Sequence, residues 1–170
     1  AVDYCSELLK NRPTHPYALI WALARGFSID FDTSRTALEE KLAGDLDFEN
    51  SFEIDECLVL LNIYLKNNET GKAKKFLGRI KPFLKKGGGA AFGTYWQSRI
   101  TVAEGNLERA IEYARLETNR NVGRQIKTMV LQEKYLRFKP RRKAVKPLVR
   151  HLEKCYRQTG EFEYLMELCL

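Results

Sequence analysis

Gly105–Leu116 reads GNLERAIEYARL: a Gly-Asn turn followed by a helix with a small residue, Ala110, one turn in. The pattern recurs along the chain. Ala37 lies in TSRTALEEKL, Ala73 in TGKAKKFLGRI and Ala144 in RRKAVKPLVRHL, while Ala1 opens the chain. Successive spacings of these alanines are 36, 36, 37 and 34 residues. A period in the mid-thirties with a small residue at fixed phase predicts stacked helical hairpins. The cause is steric: two antiparallel helices joined by a short turn cross closely, and only a small side chain fits at the crossing. Ala37, Ala73, Ala110 and Ala144 are therefore expected to be buried at crossings.

Working outward, Ala1–Arg12 reads as one helix of a truncated hairpin, with Val2, Cys5, Leu8 and Leu9 on one face and Pro13 past its end. Pro16 suits the first turn of the next helix. Asp32-Thr33-Ser34 offers an N-cap and Gly44 a terminator. A helix through IDECLVLLNIYLKNN turns at Asn67-Asn68 into TGKAKKFLGRIKPFLKK, which is expected to kink or end near Pro82. Gly87-Gly88-Gly89 reads as a linker, and Gly123 as a break after the third hairpin. The fourth hairpin turns at Lys139-Pro140 and carries Pro147 inside its second helix. The tail EFEYLMELCL reads as the first helix of a fifth hairpin. Apolar residues sit at helical spacing, so the predicted class is all-α. The whole of 1–170 reads as one array of about four hairpins, a right-handed solenoid truncated at both ends and cut from a longer protein. Neither end carries a polar cap, so self-association through the ends is expected.

Net charge is +7, but the halves differ. Residues 1–70 hold 6 basic and 13 acidic residues; residues 71–170 hold 23 and 9. Such asymmetry gives a long molecule an electrostatic polarity. No apolar run approaches the roughly 18 residues that span a bilayer, and no signal peptide is visible. Cys5, Cys57, Cys155 and Cys169 are scattered in apolar contexts, which predicts buried, reduced thiols in an intracellular, cytoplasmic protein.

The residues around the alanines carry a resemblance. Ala73 is preceded by Leu60, Tyr64 and the turn residue Asn68, and followed by Leu77 and Ile80; Ala144 is preceded by Leu131 and Tyr135 and followed by Leu148. Trp21 and Ala24 precede Ala37, Gly105-Asn106 precedes Ala110, and Leu8 and Pro13 follow Ala1. This arrangement resembles the tetratricopeptide repeat family over nearly the whole chain, with degenerate repeats: Arg25, Leu61 and Gln132 stand where the family has a small residue. A pentatricopeptide array, which reads RNA one base per repeat, is the nearest competing resemblance. The tetratricopeptide resemblance implies a concave groove lined by the first helix of each hairpin. Carried over, the groove residues are Asp55, Leu58, Asn62 and Lys66, then Phe92, Tyr95, Arg99 and Val102, then Met129, Glu133, Leu136 and Arg137. The lysine with which chaperone-binding members clamp a peptide carboxylate is replaced by Ala22, Leu58, Tyr95 and Met129, so binding of a chaperone C-terminus is not expected.

Other constellations carry less chemistry. His151 and Cys155 share a helix face, but a structural zinc site needs four ligands and a nucleophilic dyad needs an orienting group; packing is the expected role. KKGGGAAFG has its lysines before its glycines, the wrong order for a phosphate loop. The acidic stretch from Asp45 to Glu56 lacks the spacing of a calcium loop. No metal or cofactor is expected. The strongest charged feature is Lys134–Arg150, which contains Lys139, Arg141, Arg142, Lys143, Lys146 and Arg150 and no carboxylate. Eight cations in that run repel one another; the run reads either as a solvated turn and convex helix face or as a contact for phosphates or an acidic protein segment. The function expected is non-catalytic protein–protein interaction, with a protein or peptide received in the groove at Asp55, Asn62, Lys66, Tyr95, Arg99, Glu133 and Arg137. Nucleic-acid binding through the basic half is the alternative.

Overall fold

Pro16 opens a helix, Asn106 caps another, and the described backbone between such signals is helical throughout. The computed structural model describes residues 2–25, 31–44, 46, 51–86, 90–138 and 142–161, with backbone alone at 2, 3, 51, 52, 85, 86, 90, 138 and 142–144. Among these lie nine helices: α1 (Val2–Asn11), α2 (Pro16–Arg25), α3 (Phe31–Lys41), α4 (Ser51–Lys66), α5 (Thr70–Lys86), α6 (Ala90–Ala103), α7 (Leu107–Leu116), α8 (Arg120–Phe138) and α9 (Arg142–Thr159). No helix among the described residues is long and apolar enough to cross a membrane. The chain divides into two units, Ala1–Phe83 and Leu84–Leu170.

In the first unit α4 is central, with α2 and α3 both packed on it and α1 packed on α2. Its Val59, Leu60, Leu61, Ile63 and Tyr64 are all buried. A helix apolar over most of its circumference belongs in the middle of a packed group. Asn68, at φ 58, makes the tight turn into α5, a left-handed conformation that asparagine tolerates better than most residues. The α5 residues Ala73, Phe76, Leu77 and Ile80 are buried. Polar bonds join α3, α4 and α5: Tyr64 donates to Glu39 at 2.9 Å, Lys72 reaches the same carboxylate at 3.3 Å, and Arg35 pairs with Glu69 at 3.2 Å. Lys41 reaches the buried Glu56 at 2.6 Å.

In the second unit α6, α7, α8 and α9 pack in sequence, and α6 also packs on α8. Val102, Leu107, Ala110 and Val130 form a core cluster, with Ile111 and Met129 packed against it. Asn106 accepts from the Arg109 backbone N–H at 3.1 Å, an N-cap for α7.

Several expectations are met and some are corrected. Ala73 and Ala110 are fully buried, as close crossings require. Ala37 is only half-buried; the buried stripe of α3 is Phe31, Ser34 and Leu38, so the small residue facing the core there is Ser34. Ala144 and Ala1 lie outside the described side chains, as do the Gly87–Gly89 linker and the tail from Phe162. Asp32 lies in the first turn of α3 rather than capping it, because the helix starts at Phe31. α5 runs through Pro82 and α9 through Pro147; both prolines are exposed. Gly123 does not break a helix but lies inside α8. The break falls before it, where Asn119 Oδ1 accepts from the backbone N–H groups of Asn121 and Val122. A Cβ on Gly123 would stand 3.0 Å from the Ala114 carbonyl oxygen, so this glycine is where α7 and α8 approach.

Candidate functional site

α8 presents two different surfaces. At about 100° per residue, Met129, Glu133, Leu136 and Arg137 fall on one side of the helix, and Arg120, Arg124, Lys127 and Leu131 on the other.

The first side adjoins α6. There Phe92, Tyr95 and Arg99 recur at three- and four-residue spacing, with Phe92 exposed and the other two half-buried. The Arg99 guanidinium carbon lies 4.6 Å from the ring centroid of buried Trp96 and 5.9 Å from that of Tyr95. Such stacking holds a cation over an aromatic face. Burial lowers the pKa of Arg99, yet a guanidinium stays charged at neutral pH. On α8, Glu133 pairs with Arg137 at 2.6 Å. Arg137 also donates from Nη2 to the Val102 carbonyl at 3.4 Å, which brings the C-terminal ends of α6 and α8 together. Leu136 beside it is exposed. Val102 is buried and Met129 packs against the core cluster, so these two expected groove residues serve the interior. Tyr95, Arg99, Glu133 and Arg137 thus belong to one pair of packed helices.

Asp55, Asn62 and Lys66 share a face of α4 in the first unit. Asp55 and Asn62 are half-buried. The Asn62 amide donates to Leu58 O at 3.0 Å, and the Lys66 ammonium stands 4.1 Å from the Phe31 ring centroid.

The second side of α8 faces a concavity that sequence reasoning missed. A cavity of about 630 Å³ opens between α7, α8 and α9. Among the described residues Arg115, Arg120, Arg124, Lys127 and Lys154 line it, with Glu117 as the one acidic residue of that lining. His151 and Cys155 also line it, both as buried residues of α9. His151 Nε2 lies 3.1 Å from the Thr128 hydroxyl, and the Cys155 sulfur 3.6 Å from the same nitrogen. Burial, with Lys127, Lys154 and Arg124 adding repulsion, lowers the His151 pKa, while a backbone hydrogen bond at Arg124 works the other way. Burial raises Cys155. A thiol held up beside an imidazole held down is the reverse of the thiolate–imidazolium pair of nucleophilic cysteines. The pair packs α9 against α8, as the sequence predicted.

Of the basic run, Lys139 and Arg141 lie outside the described residues, and so do the side chains of Arg142 and Lys143. Lys146 and Arg150 are exposed, on the outward face of α9 that also carries Arg157. Among the described residues, no group of three or more His, Cys, Asp or Glu could hold a metal ion. Comparison with protein-family models, curated proteins and solved structures finds no match for this chain.

Proposed function

We propose that this chain is a non-catalytic protein-binding segment. It is built of hairpins of the tetratricopeptide type, which form a right-handed solenoid in that family, and it receives a protein or peptide partner along the α6/α8 face. The observation that carries this reading is the Arg99–Trp96 stack beside half-buried Tyr95. Arginine and aromatic residues in a restrained, partly desolvated setting are the usual anchors of protein interfaces. Phe92, one turn before Tyr95 and Trp96 on α6, and Leu136 on α8 add exposed apolar side chains. The mid-thirties period and the buried Ala73 and Ala110 support the repeat reading.

The second reading, nucleic-acid binding, is favoured by exposed Lys146, Arg150 and Arg157 on one face of α9. The two separate in affinity capture from cells that express the protein. Arg99→Ala and Phe92→Ala are expected to lose a protein partner that Lys146→Glu/Arg150→Glu retains. Capture of RNA, abolished only by the charge reversal and steeply weakened by salt, would replace the first reading by the second.

A further inference from the structure

The cavity between α7, α8 and α9 lies on the side of α8 away from the face proposed for a protein partner, and its chemistry is different. Its five cations come from three helices: Arg115 from α7, Arg120, Arg124 and Lys127 from α8, and Lys154 from α9. Among the described residues none of the five pairs with a carboxylate. Glu117 offsets one of these charges without forming an ion pair with any of them; its Oε1 accepts from the Asn119 backbone N–H at 2.9 Å, closing the turn between α7 and α8. Glu161, beyond α9, acts on Cys155 but does not line the cavity.

Like charges scattered over a convex helix face are ordinary solvated side chains. Here they converge on a concavity, where field lines are focused and like charges repel. The apolar side chains of Ile111 and Leu131 also line the cavity, which lowers the local dielectric and raises the attraction for an anion. Three of the cations are arginines, whose planar forks match phosphate oxygens in pairs. A volume of about 630 Å³ is far larger than one phosphate and lies within the range of small-ligand sites.

We propose that this cavity binds a small soluble oligophosphate, a ligand carrying two or more linked phosphate groups. Its negative charge offsets the mutual repulsion of the five cations. The neutral His151 imidazole under the site reports the occupant, because an anion placed beside it favours the protonated ring.

Titration calorimetry of the whole chain at physiological salt tests this with inorganic tripolyphosphate, a nucleoside triphosphate and a single-stranded oligonucleotide as probes. Tripolyphosphate is expected to bind. Arg120→Gln/Lys154→Gln, two exposed side chains on different helices, is expected to weaken it by about tenfold or more. Lys146→Gln/Arg150→Gln, the same charge change outside the cavity, is expected to leave it unaltered. Tighter binding of the nucleoside triphosphate would assign the site to a nucleotide, and equal binding to the phosphates alone. The His151 resonances, one of two imidazole sets in the chain, are expected to move on saturation, with a raised pKa. Failure of tripolyphosphate to bind, equal weakening by both double variants, or binding of the oligonucleotide alone would overturn the proposal. Loss of protein capture by Arg99→Ala bears on the α6/α8 face and leaves this test independent.

Discussion

Arg79 of α5 donates from Nη1 to the Leu42 carbonyl oxygen at 2.6 Å, just past the end of α3. Its Nη2 donates to Ala43 O at 3.2 Å and also to Gly44 O. The last carbonyls of a helix lack intrahelical partners and carry the negative end of its dipole. One guanidinium therefore closes the end of α3 from a neighbouring helix. Arg79→Ala is expected to destabilise the protein by about 1–2 kcal/mol, read as a lowered urea midpoint with an unchanged m-value. An unaltered midpoint would show that water caps these carbonyls equally well.

The crossings differ, and substitution should reveal it. Ala110→Phe is expected to overpack the α7–α8 contact and to cost about 1–3 kcal/mol or more. Ala37, half-buried beside the Ser34–Leu38 stripe, is expected to accept Leu at a smaller cost than fully buried Ala73 does. Equal losses at Ala37 and Ala73 would restore the strict alanine register.

Two helical glycines should respond in opposite directions to alanine. A Cβ on Gly78 meets nothing within 4 Å, so Gly78→Ala is expected to stabilise α5 by about 0.5–1 kcal/mol. At Gly123 the added carbon presses on the Ala114 carbonyl oxygen at 3.0 Å. Backbone cannot swing aside as a flexible side chain can, so Gly123→Ala is expected to destabilise despite its better helix propensity. Thermal melts of both variants check the contrast.

His151 gives the fold an acid-sensitive contact. Burial, reinforced by Lys127, Lys154 and Arg124, holds its pKa below the ordinary 6.5. The unfolded chain then binds a proton that the folded chain refuses as pH falls below about 6.5, and linkage makes stability fall with it. The contribution is present above the unfolded-state pKa and is lost towards the folded one. Urea titrations at pH 7.5 and 5.5 are expected to show a drop in stability that His151→Gln diminishes. An equal drop in both proteins would assign it to carboxylates elsewhere.

Much of this fold is legible in the residues, for identifiable reasons. Ala73 and Ala110 stand out as small residues at a fixed phase and are both fully buried, and Asn68 and Gly105-Asn106 announce turns because the backbone takes positive φ at Asn68 and Gly105. Gly123 misleads because a glycine that admits a neighbouring backbone looks the same in sequence as one that ends a helix. Of the expected groove, Val102 and Met129 turn to the interior, since helical spacing gives a face but not what packs on it. The cavity is the least legible feature. Arg120, Arg124 and Lys127 recur at helical spacing on α8, but Arg115 and Lys154 join them only through the packing of three helices. The basic run from Lys134 is the more conspicuous in sequence because its charges lie close together along the chain.

The central claim, that the α6/α8 face is a protein-binding surface, is tested most directly by site-specific photo-crosslinking. A photoreactive residue is placed at Phe92, at Leu136 and, for comparison, at Arg150, and the protein is irradiated in cells that express it. The account predicts that Phe92 and Leu136 crosslink to one and the same protein, that Arg150 does not, and that Arg99→Ala abolishes both crosslinks. Crosslinks from Arg150 to RNA, with none from Phe92 or Leu136 to protein, would contradict it.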